Sequence, residues 1–251
     1  MIQQKNFLRP LAFFNKNRYN VNMENLLMIF AGLLAAVIIL TLHEFAHAFV
    51  AYKCGDPTAK WSGRMTLNPV KHFDPVGVLL FALVGFGWAK PVPVNPNNFK
   101  NKTQGAILTS AAGVTVNYIT AFLFFPLFYL CRELYVSAYI NGITTYGHVF
   151  LYQFSYALFA YSLSFCVFNL LPLYPLDGFR IVEAATKQRG EVYWFLRKYG
   201  NYILTFLIAF SFIANRTGNA LLMQFNLLDY VMEFATDFFG KPIIKFWDLI
   251  F

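Results

Sequence analysis

A chain of 251 residues that is 58% hydrophobic and only 13% charged is too apolar for a soluble globular enzyme, where about 25% of residues are charged. The formal net charge is +8. The basic residues flank apolar runs, however, where they orient spans and meet lipid headgroups, so the expected partner is the lipid bilayer and not nucleic acid.

The length allows one membrane domain and no appended soluble domain. Residues 1–23 form a basic amino-terminal tail with Lys5, Arg9, Lys16 and Arg18. Tail and following apolar run imitate a secretory signal, but the run is too long for one, so it reads as a retained span. That first span covers about 24–52. Leu26 to Leu42 contains no charged residue and would rise about 25 Å as helix. Near its Lys53 end stands His43-Glu44-Phe45-Ala46-His47. In H-E-x-x-H the two histidines lie one helical turn apart, so both rings leave one face and can grip one metal ion. Glu44, beside them, is placed to take a proton from an attacking water. A histidine pair that bound nothing would leave polar groups unpaired in lipid. A charged set inside an apolar span therefore marks a functional site.

The loop after this span carries the turn signals Gly55-Asp56-Pro57, Asn68-Pro69 and Asp74-Pro75. Val76 to Trp88 is apolar but too short to cross, which suits a re-entrant segment. Lys90 to Pro96, with Pro91, Pro93 and Pro96, is expected to be extended chain. Its free edge, at Val92 and Val94, could pair with a substrate strand; a plain structural loop is the other reading. Further spans are expected over 104–130, 150–171 and 199–215. Asp229, Glu233 and Asp237 recur every four residues, which makes the carboxyl-terminal segment an amphipathic helix. The expected fold is an all-α polytopic membrane protein. It is a helical bundle of about four to six spans with a re-entrant segment and a short β-like strand. The membrane domain covers 24–215, and 216–251 form the carboxyl-terminal amphipathic helix and tail. Of the 20 Lys and Arg residues, 12 fall in loops on the histidine side, whereas the loop over 131–149 holds only Arg132. That asymmetry predicts a multi-pass protein of the cell membrane whose site opens toward the cytoplasm. The basic tail runs against it. Cys54, Cys131 and Cys166 show neither metal nor disulfide spacing.

Two histidines do not complete a zinc site; a third protein ligand is needed. His72 and His148 are the other histidines. Asp177 is the better candidate. It follows a span broken by Pro172 and Pro175, on the same side as the H-E-x-x-H. A lone loop carboxylate is more often a helix cap, but this placement favours a ligand.

The sequence resembles the site-2 protease family of intramembrane zinc metalloproteases. The resemblance rests on Thr41 to His47, Gly55-Asp56-Pro57, Gly63 to Pro69, His72 to Pro75, Gly87 to Pro96 and Asn169 to Gly178, and covers roughly residues 25 to 200. It implies Zn2+ held by His43, His47 and Asp177, with Glu44 as catalytic carboxylate. It also implies that the Pro-rich and re-entrant segments guide an unwound substrate helix. Where the family often has Gly-Pro-x-x-Asn, this chain has Gly113-Val114-Thr115-Val116-Asn117, a softer local bend. No inserted peptide-binding or nucleotide-sensing module fits the length, as in the compact subgroup. Asn117 or Asn169 could hydrogen-bond the oxyanion or the substrate backbone; bonding between helices is the competing role. The expected substrate is a single-span membrane protein or a signal-peptide-like segment. A membrane zinc transporter or an inactive scaffold relative is the alternative. Transport needs no general base within the histidine pair, and the intact motif speaks against an inactive relative.

Overall fold

The computed structural model describes residues 23–84, 87–186 and 189–251. The basic tail thus lies outside the described residues except for Met23, as does part of the expected re-entrant segment. Among the described residues the α-helices are, in chain order, α1 (Met23–Lys53), α2 (Thr58–Trp61), α3 (Pro75–Val84), α4 (Lys102–Ile140), α5 (Tyr146–Leu170), α6 (Asp177–Ala185), α7 (Glu191–Thr217), α8 (Ala220–Gln224) and α9 (Leu227–Trp247). Three of them, α1, α4 and α5, are long and apolar enough to cross a membrane. The fourth span expected over 199–215 falls within α7, whose length would suffice but whose composition does not place it with these three.

The three apolar helices form the frame. Ala31, Gly32, Ala35 and Ala36 give α1 a face of small, buried residues. Tyr161 of α5 packs its hydroxyl against Gly32. Ala35, Ala36 and Ile39 close a cluster with Ala157, Leu158 and Tyr161. Small side chains let two backbones approach where lipid offers no hydrophobic drive for association. Between α4 and α5 the filling is aromatic: Phe125, Phe128 and Phe159 pack with Leu163 and with Ile243 of α9.

Helix α4 corrects the expected second span. It runs ten residues past Leu130, through a stretch assigned to a loop. No proline or glycine interrupts 131–140, so the helix continues until Asn141-Gly142, where Gly142 takes φ 69°. Helix α5 begins at a capping box formed by Thr145 and His148, which accounts for that histidine. The carboxyl-terminal helix α9 lies against the bundle. Leu228 and Met232 pack on Val167, and the Trp247 indole donates to the Phe122 carbonyl at 3.0 Å. Of its acidic stripe, Asp229 accepts bonds from Ser211 and Asn215 of α7, Asp237 pairs with Lys241, and Glu233 is exposed.

Helix α3 would rise only about 15 Å over its ten residues, well short of a crossing. Residues 87–95 then run as extended chain, but the expected β-like strand is not formed: no strand is present among the described residues. The reason is local. Pro91 and Pro93 carry no N–H, and of the four donors left between Lys90 and Asn95 two go to side chains and one to the His72 carbonyl in the preceding loop, so no ladder can form.

Candidate metal centre and active site

Helix α1 carries His43, Glu44 and His47 toward the end of the bundle where α4 begins and α5 ends. All three are buried. The segment after α5 is released by Pro172 and Pro175, and α6 opens with Asp177. Gly178 makes that placement possible. A Cβ at this position would stand 2.6 Å from the Leu171 carbonyl oxygen and nearer still to that of Leu170. The start of α6 thus lies directly on the end of α5.

Three ligand atoms converge. His43 Nε2 and His47 Nε2 are 3.0 Å apart, and Asp177 Oδ2 lies 3.3 Å from the first and 3.1 Å from the second. Donors at the corners of a zinc tetrahedron with bonds of about 2.0–2.1 Å stand about 3.3–3.4 Å apart, so the triangle has the right size. Its chemistry fits as well. His47 Nδ1 is 2.6 Å from the Thr109 carbonyl oxygen, which can only accept, so Nδ1 carries the proton and Nε2 presents a lone pair. Asp177 Oδ2 is buried and accepts no hydrogen bond of good geometry, despite two ring nitrogens beside it. Lone pairs aimed at one buried point are what a cation resolves.

The surrounding residues fix the triangle. Asn117 is fully buried, and its amide stands 3.0 Å from His43 Nδ1, behind the ring as seen from the three ligand atoms. Gly113, one turn earlier on α4, faces the histidines. A methyl group there would lie 2.7 Å from His43 Nδ1 and closer to His47 Nε2. Glu44 Oε2 accepts the Val92 N–H at 2.8 Å, which draws the Pro-rich segment onto the site. The Val92 side chain is buried with Ala48 and Ala59, and Val94 packs on the same cluster.

Both ends of this segment are tied down. The Arg64 guanidinium donates to the carbonyl oxygens of Lys90 and Pro91. The fully buried Asp56 accepts from the Asn95 N–H at 2.7 Å, from the Asn98 amide at 2.8 Å and from Thr58. Burial raises the Asp56 carboxyl pKa, yet these hydrogen bonds lower it on balance, so the anchor stays ionised at neutral pH.

Of the residues singled out from sequence, His43, His47 and Asp177 meet, Glu44 lies beside them on α1, and Asn117 and Val92 touch the set from outside. Asn169 does not join it; its amide donates back to Phe165 within α5 at 3.0 Å. His72 sits apart, with Nε2 on the Thr66 carbonyl, as a loop-structuring residue. Sequence reading passed over Asp56, Arg64 and Thr109. The Gly55-Asp56-Pro57 motif held the signal for the first; a backbone acceptor such as Thr109 leaves none.

A helical bundle with an H-E-x-x-H helix and a distant aspartate closing on one buried point defines a membrane metalloprotein of the zinc-hydrolase kind. The chain belongs to Peptidase family M50, whose profile matches residues 31–214, and the resemblance to site-2 proteases is borne out. Similar proteins are named "Putative zinc metalloprotease": YwhC of Bacillus subtilis (strain 168), 45% identical over 59% of this chain, and Rip2 of Mycobacterium tuberculosis (strain ATCC 25618 / H37Rv), 29% identical over 89% of it. The matches cover 65% of YwhC and 82% of that Rip2, so the chain spans just under two thirds of the first relative. No solved structure matches. Family and apolar helices together make this a membrane protein.

Proposed function

We propose that the protein is an intramembrane zinc metalloprotease that hydrolyses peptide bonds in or near membrane-spanning segments of other proteins. The observation that carries this reading is the convergence of His43, His47 and Asp177, within 3.3 Å of one another, beside Glu44. A zinc ion held there supplies Lewis acidity, which acidifies water and polarises a peptide carbonyl. The protein's own groups do the rest. Glu44 takes the proton of the attacking water and delivers it to the amine nitrogen as the C–N bond breaks. Burial keeps bulk water from the carboxylates, and the Thr109 carbonyl holds His47 in the ligating tautomer. A zinc transporter is the weaker reading, because a general base between two ligands has no task in transport.

The purified protein in bilayers, given zinc, should cleave a single-span reporter. Activity should vanish with a chelator and return with added Zn2+. Zinc flux into vesicles without cleavage would favour the transporter instead.

Asn117 is better suited to orienting His43 than to meeting the substrate, since its amide lies behind that ring. With its oxygen turned to a protonated Nδ1 it would complete a ligand support of the usual kind. Asn117→Ala should then weaken zinc binding about 10–100-fold. Unchanged zinc affinity with impaired turnover would return Asn117 to the substrate side.

For substrate capture the reading narrows to Val94. Among the described residues its N–H is the one free donor between Lys90 and Asn95. The basic-residue asymmetry supports a site opening to the cytoplasm, with α3 re-entrant on that side. Single cysteines test both points. One at Lys60 should resist an impermeant reagent outside intact cells, and a crosslinker at Val94 should capture substrate. Outside labelling reverses the orientation, and capture only elsewhere removes the pairing role.

A further inference from the structure

Between Lys90 and Asn95 the backbone offers four N–H groups, because residues 91 and 93 are proline. Three are engaged by the protein: Lys90 with the His72 carbonyl at 2.8 Å, Val92 with Glu44 Oε2 at 2.8 Å, and Asn95 with Asp56 Oδ2 at 2.7 Å. The middle one reaches Glu44, the proposed base of the reaction. We propose that the Val92 N–H is the group that positions the Glu44 carboxylate, so that the Pro-rich strap belongs to the catalytic apparatus as well as to the substrate path. This rests on the reading of Glu44 as general base.

The placement has several independent causes. A glutamate has three rotatable side-chain bonds and, buried without a donor, would carry an unpaired charge. Val92 supplies that donor from a rigid setting. Prolines on both sides restrict the backbone and leave no neighbouring N–H to compete. Its side chain is buried with Ala48, which lies one turn beyond Glu44 on α1, so one residue docks on the helix through both side chain and backbone. Arg64 and Asp56 then hold the strap on either side of it. Only Oε2 is engaged. Oε1 accepts no bond from the described residues and is left for the proton in transit.

The Pro-Val-Pro sequence makes a direct test possible, since Val92 has the one exchangeable backbone amide of residues 91–93. Hydrogen exchange there should be slow in the wild type, slow in Glu44→Gln, which keeps an accepting oxygen, and at least about tenfold faster in Glu44→Ala. Equal exchange in Glu44→Ala and wild type overturns the contact. Its role is read by replacing Val92 with the α-hydroxy analogue of valine, which turns the amide into an ester, removing the N–H and weakening the Pro91 carbonyl, a secondary acceptor of Arg64 at 3.3 Å. We expect kcat to fall about 10–100-fold, the weight of one hydrogen bond to a charged group, with KM and zinc content within about twofold of wild type. A wild-type kcat, or a change in KM alone, overturns the positioning role. The base reading is separately tested: if Glu44→Gln abolishes turnover while the ester does not, only the positioning fails.

Discussion

Glu44→Gln protein should retain zinc and fold while losing about 10²–10⁴-fold in turnover, the usual weight of general-base catalysis. The amide keeps the length of the side chain, and its oxygen can still accept the Val92 N–H now given to Oε2. The three ligand atoms belong to other residues, so the donor set is untouched. What the amide cannot do is accept a proton. Zinc content by metal analysis and cleavage of a single-span reporter, measured on one preparation, check the two halves. Wild-type cleavage would show that another group takes the proton. Loss of zinc would show that Glu44 supports the metal itself.

Gly113→Ala should weaken zinc binding by about 100-fold. Helix propensity points the other way: alanine in a helix interior is favoured over glycine by roughly 0.5–1 kcal/mol. If local helix stability decided the outcome, the variant would gain. The added methyl, however, would stand 2.7 Å from His43 Nδ1 and nearer to His47 Nε2, inside contact distance of both ligand rings. Either the rings swing away or α4 withdraws from α1, and both break the triangle. Equilibrium dialysis against zinc, with circular dichroism to show intact helices, separates site loss from unfolding. Normal zinc affinity would mean that the two helices sit farther apart than the structure places them.

The catalytic half of the site was legible because H-E-x-x-H is local: one helical turn brings both rings to one face whatever the tertiary structure. Asp177 could be chosen because two prolines end the preceding helix on the correct side. The strap shows where local reasoning stops. Prolines predicted extended chain, which is present, but whether an edge is free depends on who takes its donors. Those partners, Glu44 and Asp56, lie 48 and 39 residues away. The expected second span stopped at Leu130, just before Arg132 and Glu133, although charge ends a span more readily than it ends a helix. Gly113 and Asn117 were noticed as a pair, but their face toward His43 follows from how α4 packs on α1, which no spacing rule reveals.

Asp177, the proposed third ligand, joins His43 and His47 from about 130 residues further along the chain than His47, on the far side of two more apolar helices. At a synthesis rate of about 5–20 residues per second, roughly 7–26 s separate the emergence of His47 from that of Asp177. During that interval the nascent protein holds two imidazoles and a base but lacks the carboxylate that completes the set. On the proposed reading, proteolytic competence waits for Asp177: a chain truncated before it, lodged among other newly inserted helices, lacks the third zinc ligand needed to cut them.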